Sequence, residues 1–289
     1  MTKKPLVIYH AHCTDGLAAA WCFWNAFGNT VDYYAGVYNQ PMPDIVDRVV
    51  YLVDFSYKRD KMVDMCKWAH SVTVLDHHKT ALEDLAGIEK EFDNIDISHC
   101  TNEKSGAMVA WDYLNYGNDA CKEPPLFLQH VQDRDLWNFE LPLTKEIIRG
   151  ATNEPLTIEL IDVYMQMSAT DLKHIAALGK NILISEMTLM KGILKECTRE
   201  IEFDNGHSIV PLPLVNAPGA LFSEMGDLLG KTSPGVVMYY DTKSHRVFGL
   251  RSNKEHGIDV SAIAKMYGGG GHKNAAGFKV TRDHPLATI

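Results

Sequence analysis

The triplet Asp76-His77-His78 sets one carboxylate beside two imidazoles, a donor set suited to Mn²⁺, Zn²⁺ or Fe²⁺. It follows directly on the run Val72-Thr73-Val74-Leu75. Two earlier apolar runs end in the same way. Leu6-Val7-Ile8-Tyr9 leads into His10-Ala11-His12-Cys13-Thr14-Asp15-Gly16, and Val49-Val50-Tyr51-Leu52-Val53 leads into Asp54-Phe55-Ser56. Potential metal ligands thus stand at the end of each run: His10 with Asp15, then Asp54, then Asp76 with His77. Farther on, Asp133-Arg134-Asp135 follows the apolar segment Leu126–Gln132. These acids either cap a helix through salt bridges or supply the further carboxylate of a two-metal cage. Near the carboxyl end, Gly268-Gly269-Gly270-Gly271 precedes His272-Lys273. Glycines let successive backbone N–H groups converge on an anion, and the histidine and lysine add donors and charge. A phosphate-binding loop is expected there.

The elements that must position these groups can be read from periodicity. Short β-branched runs that stop at polar residues suit covered strands. Leu17–Phe27, rich in alanine and aromatics and closed by Gly28, reads as a buried helix, and residues 58–69 read as another. Strands alternating with helices imply a parallel sheet, which sends its strand ends to one edge. The ligands of the three runs would then converge because of topology. Phe92–Ile97 is predicted to be a strand, and the segment from Lys104 to Trp111 opens a helix. Ser105-Gly106 at that helix start serves either a phosphate or close helix packing. From Glu154 to about Glu202 the apolar residues, among them Met165, Leu172, Ile175 and Ile182, recur at helical spacing. A second strand-rich region follows: Ile209–Asn216, a hairpin of Val236–Tyr240 with Val247–Ser252, then a helix over Ile258–Met266. The predicted class is α/β. A parallel-sheet catalytic domain spans 1–145, a helical linker 146–204, and a smaller α/β substrate-binding domain 205–289.

Composition narrows the functions. Of 289 residues, 46% are hydrophobic and 22% charged, which is ordinary for a soluble globular chain. A formal net charge of -9 argues against gripping long duplex nucleic acid through many phosphate contacts. It leaves room for a small anionic substrate. No apolar run approaches the roughly 20 residues of a membrane span, and the basic start is followed by too short a run for a signal peptide. Six cysteines (13, 22, 66, 100, 121 and 197) form no C-x-x-C pair, which favours a reducing cytoplasm over a disulfide framework.

Taken together, the motifs resemble those of the DHH phosphoesterase superfamily, which includes RecJ-type exonucleases, nanoRNases and exopolyphosphatases. The resemblance covers nearly the whole chain. His10-x-x-Cys13-x-Asp15-Gly16 is similar to the first motif, Asp54 to the second, Asp76-His77-His78 to the third and Asp135-Leu136-Trp137 to the fourth. Gly268–His272 with Ala275-Ala276-Gly277-Phe278 resembles the DHH-associated carboxyl-terminal domain. The resemblance implies two Mn²⁺ ions, with Mg²⁺ or Co²⁺ as substitutes, held by His10, Asp15, Asp54, His77 and Asp135, with Asp54 bridging. Asp76 would orient His77, as carboxylates behind metal ligands do. His78 would touch the substrate or its leaving group. Arg251, Gly270, Gly271 and His272 would hold the far phosphate or nucleotide. Cys13 departs from the pattern, since many members carry an aspartate there. Either Cys13 is a soft ligand, His12 fills in, or the first metal has fewer ligands.

The expected reaction is hydrolysis of short oligonucleotides or dinucleotides by a metal-activated water, with no covalent intermediate. One alternative keeps the metals and changes the substrate to polyphosphate, pyrophosphate or a nucleotide phosphomonoester. Tyr239, Tyr240 and Tyr267 either stack a base or belong to the core and hairpin. Another alternative is a non-catalytic nucleotide-binding protein, which Cys13 favours and the set of metal-ligating residues opposes. A homodimer is a further expectation.

Overall fold

The computed structural model describes residues 3–38, 40–115, 123–204 and 209–289. Cys121 and the expected domain limit at residue 205 lie outside them. The chain divides into two compact units, Met1–Leu183 and Ile184–Ile289.

In the first unit, β1 (Leu6–His10), β2 (Asp32–Gly36), β3 (Val49–Val53), β4 (Ser71–Leu75) and β5 (Ile95–Asp96) form a sheet in the order β2-β1-β3-β4-β5. Every neighbouring pair is parallel. Helices α1 (Thr14–Phe27), α2 (Arg59–Trp68) and α3 (Lys79–Leu85) fill the crossovers. Then follow α4 (Gly106–Asn115), α5 (Leu126–Asp135), α6 (Thr144–Ala151), α7 (Ile158–Met165) and the long α8 (Ala169–Cys197). Period-two alternation splits the strand side chains between two cores. Val7, Val53 and Leu75 join α1, α4, α5 and α7 on one face. Leu6, Ile8, Val50, Leu52, Val72 and Val74 join Met62, Met65 and Leu85 on the other. Burial on both faces is what keeps these strands so uniformly apolar.

β2 went unread because Asp32-Tyr33-Tyr34-Ala35-Gly36 has no apolar run; it is a half-exposed edge strand. The strand expected over Phe92–Ile97 is only Ile95–Asp96, since it meets β4 at just two positions.

In the second unit, β6 (Thr198–Asp204), β7 (Ile209–Asn216), β8 (Val236–Asp241), β9 (His245–Arg251), β10 (Gly270–His272) and β11 (Ala275–Thr281) form a sheet in the order β10-β11-β9-β8-β7-β6. Only β7 and β8 are parallel neighbours. Helix α10 (Val260–Met266) supplies Val260, Ile263 and Ala264 to one core, and α9 (Phe222–Leu229) supplies Phe222 and Met225 to another.

Two expectations are corrected here. The helical pattern does not continue to Glu202, because α8 stops at Cys197 and β6 begins. Ile201 and Phe203 alternate with Glu200 and Glu202, and that period of two wins once β7 offers a partner. The glycine run is not wholly a loop either. Gly270 and Gly271 pair with Gly277 and Ala276 as an edge strand, with Gly271 at φ 137°. Pro211 and Pro213 are tolerated in β7 because β8 pairs with it only from Leu214 onward.

Candidate metal centre and active site

Strand ends deliver the first groups. His10 closes β1, and Asp54 and Asp76 directly follow β3 and β4. The register sets Tyr9 opposite Val53, and Val53 opposite Leu75, so the three ends lie in one rank. Asp15 enters from the first turn of α1 and Asp135 from the last residue of α5.

The resulting cluster is dense. His77 Nε2 lies 3.1 Å from Asp54 Oδ1, 3.4 Å from Asp135 Oδ2 and 3.8 Å from Asp15 Oδ2. His10 Nδ1 lies 3.4 Å from Asp54 Oδ2, and His78 Nδ1 lies 3.8 Å from Asp54 Oδ1. Two sets, His10/Asp54/His78 and Asp15/Asp54/His77, can each bring one ligand atom per residue within 4.8 Å of the others, and Asp54 belongs to both. Asp54 is 1% exposed, and neither of its oxygens receives a well-formed hydrogen bond among the described residues. A buried carboxylate of this kind calls for a cation. The donor set therefore fits a pair of divalent ions.

The electrostatics show the same demand. Burial pushes the Asp15 carboxyl well above the usual range, and Asp135 and Asp54 push it further. Burial likewise raises Asp135, only partly opposed by His77. For Asp54, burial is overcome by His10, His77 and His78, and its pKa falls well below the ordinary value. Burial alone would lower His77, yet Asp54, Asp135 and Asp15 hold it up at about 10. Without added positive charge, Asp54 draws on the surrounding imidazoles while Asp15 and Asp135 are left above their ordinary range.

Asp76 makes different contacts. Its Oδ1 accepts hydrogen bonds from the backbone N–H groups of His77 (2.8 Å) and His78 (3.2 Å), and pairs with His78 Nδ1 at 2.7 Å. It thereby fixes the turn that carries both histidines. It also holds the His78 pKa up against the opposing effect of burial.

Three supports could not be read from residue types. Asp54 adopts φ 52°, a left-handed backbone rare for a non-glycine residue, anchored by its N–H donating to Leu75 O at 2.9 Å. Gly106 opens α4 flat against it; a Cβ there would stand 2.5 Å from Asp54 Cβ. The amide of Ala107 lies 3.3 Å from both oxygens of Asp15, and the neighbouring buried Ser105 works against the rise of that carboxyl's pKa. Ser105-Gly106 thus packs α4 onto the acids. Gly106→Ala is expected to displace Asp54 and lower kcat roughly 100-fold while the protein stays folded. Steady-state kinetics beside a thermal melt check this.

Asp133 and Asp135 are separated by what they touch. Asp133 accepts from Glu140 N–H (2.8 Å), Leu141 N–H (3.1 Å) and the Thr144 hydroxyl (2.6 Å), which ties down the loop after α5. In that loop Trp137 and Phe139 are left-handed, and Arg134 lies 4.0 Å over the Trp137 ring. The Thr144 proton goes to Asp133, so Thr144 Oγ1 accepts from His130 Nδ1 at 2.8 Å. Burial lowers the His130 pKa, against the pull of Asp133. The folded state therefore resists protonation that the unfolded chain accepts. Stability from this group is present above about pH 6.5 and is lost as pH falls toward the lowered value. The urea midpoint of the wild type is expected to fall more steeply below that pH than that of His130→Asn.

Cys13 caps α1 through its backbone, its carbonyl accepting from Leu17 N–H at 3.1 Å. Burial raises its thiol pKa well above the ordinary value, and Asp54, Asp135 and Asp15 add to the rise. His12 is exposed with φ 58°, and it joins neither ligand set above.

Arg251, Gly270, Gly271 and His272 belong to the second unit. Arg251 closes β9 opposite Ala275, its Nη2 donating to Ser223 Oγ at 3.2 Å and its Nη1 to Leu250 O at 2.9 Å. The other three form β10. Tyr239 and Tyr267 pack in the core beside Phe248 and Phe278, and Tyr240 packs against Phe222.

Comparison with known proteins adds the family. Residues 216–287 match the DHHA1 domain. The uncharacterized protein R106 of Acanthamoeba polyphaga mimivirus is 30% identical over 296 residues, covering 95% of this chain and 67% of that one. Oligoribonuclease NrnB of Bacillus subtilis (strain 168) is 25% identical over 248 residues, covering 80% of this chain and 59% of that protein. The structure of the pGpG-specific phosphodiesterase PggH from Vibrio cholerae superposes with a TM-score of 0.50 at 17% identity, covering 99% of this chain and 96% of that one. With the strand-end acids and imidazoles in one unit and a DHHA1 domain in the other, the chain belongs to the DHH phosphoesterase superfamily.

Proposed function

We propose that this protein is a metal-dependent phosphodiesterase that hydrolyses short oligonucleotides or dinucleotides, with Mn²⁺ as its preferred metal. The observation that carries the reading is Asp54: buried, short of hydrogen bonds, and common to two ligand sets. His10, Asp15, Asp54, His77 and Asp135 would hold two divalent cations. When bound, such ions supply charge neutralisation at phosphorus and an activated water. Asp76 keeps the His77-His78 turn in place. Because His78 Nδ1 is committed to Asp76, contact with substrate falls to Nε2. With a proton on Nε2 it would donate to the leaving oxygen. In the second unit, Arg251, Gly270, Gly271 and His272 would bind the remaining phosphate or nucleotide.

NrnB is an oligoribonuclease and PggH a pGpG-specific phosphodiesterase, and both support a short-nucleotide substrate. The net charge of -9 fits a small ligand better than a long duplex. A reducing, cytoplasmic setting accompanies the reading. No helix among the described residues is long and apolar enough to cross a membrane. A panel of di- to decanucleotides, pGpG, cyclic dinucleotides and polyphosphate, each with Mn²⁺, Mg²⁺ or Co²⁺, tests it. Release of mononucleotides from the dinucleotides is expected. Hydrolysis of polyphosphate alone, or tight nucleotide binding without turnover, would sink it.

A further inference from the structure

The site has an aromatic wall that the two-cation reading does not use. β2 runs parallel to β1 with Gly36 opposite His10, so its carboxyl end reaches the same sheet edge. Tyr38 follows shortly after. Its ring stands edge-on to the His10 imidazole, centroids 5.3 Å apart at 70°, and 4.8 Å from the ring of Phe55. Phe55 is fully buried directly after Asp54, and also meets His10 at 6.1 Å and Tyr57 at 4.9 Å. Tyr38 is therefore located by packing against a fixed ring and a candidate metal ligand.

Packing does not account for the phenol oxygen. Tyr38 is 38% exposed, and its hydroxyl makes no hydrogen bond among the described residues. The contact of its ring with His10 sets the residue beside the candidate metal centre. A phenol keeps its proton at neutral pH, so the hydroxyl is able to donate. The ring is engaged by His10 and Phe55, and the hydroxyl is open to a ligand. A substrate can bring an acceptor to it, and a phosphodiester carries two non-bridging oxygens.

We propose that Tyr38 is a further catalytic residue, donating a hydrogen bond to a non-bridging oxygen of the scissile phosphodiester. This rests on the phosphodiesterase reading above. Such a bond strengthens as charge builds on that oxygen, so its loss appears in kcat more than in KM.

The test compares wild type, Tyr38→Phe and Tyr38→Ala on a 5′-phosphorylated dinucleotide with Mn²⁺, and measures Mn²⁺ affinity by calorimetry without substrate. Tyr38→Phe keeps the ring and is expected to lower kcat roughly 100-fold with KM and Mn²⁺ affinity unchanged. Tyr38→Ala is expected to lose Mn²⁺ affinity as well, because His10 loses its neighbour. Wild-type kcat in Tyr38→Phe would overturn the proposal and leave the phosphodiesterase reading intact. A fall in Mn²⁺ affinity that matches the fall in kcat for Tyr38→Phe would overturn it too, since Tyr38 would then only buttress His10. Absence of dinucleotide hydrolysis by the wild type would remove both readings.

Discussion

Asp54→Ala is expected to lower turnover by at least about 10³-fold and to abolish stabilisation by Mn²⁺. The residue belongs to both ligand sets, so its loss strikes both at once. It also supplies the shortest contact of His77, 3.1 Å from Nε2. That imidazole, held up at about 10 largely by Asp54 and Asp135, should titrate closer to its ordinary value in the variant. Two measurements check this. In a thermal melt, Mn²⁺ at 100 times its Kd should stabilise the wild type by about 2.7 kcal/mol and leave the variant unchanged. Histidine resonances followed against pH should show the His77 shift. A variant with wild-type turnover would end the two-cation mechanism.

Asp15→Asn should also lose about 10³-fold in turnover, yet make the metal-free protein more stable by about 1–2 kcal/mol. Asp15 is 1% exposed and faces Asp135 and Asp54, so its charge is costly. The sign with pH follows from the direction of its shift. A raised carboxyl pKa means that the folded state holds its proton longer than the unfolded chain does. Stability is then lost as pH rises above the ordinary carboxylate range, until the raised value is passed. Asparagine removes that loss, so the gain should widen from acid to neutral pH. Denaturant melts of metal-free wild type and variant at several pH values measure it. A variant less stable than wild type at neutral pH would show that the Ala107 amide and the Ser105 hydroxyl outweigh the repulsion.

The meeting of His10, Asp54 and His77 was legible because each closes or follows a strand whose apolar pattern is local, and a parallel sheet aligns such ends. Asp133 and Asp135 were not distinguishable, since only side-chain reach separates a loop clamp from a neighbour of His77. Tyr38 was invisible for another reason. It hangs from an edge strand whose half-exposed residues lack an apolar signature. Ser105-Gly106 stood out as a motif, but its purpose depends on what α4 packs against. The misread β6 shows tertiary pairing overriding a pattern that suited a helix.

Because Tyr9, Val53 and Leu75 stand in register just where their strands give out, a cation site built on them would double as a proofreader of folding. A slip of one residue in β1, β3 or β4 would turn an acid or imidazole toward the opposite layer. Such a misaligned chain could not capture cations. On the two-cation reading, ion capture would reward only the correctly threaded sheet, and nascent chains should mature in better yield when divalent cations are plentiful.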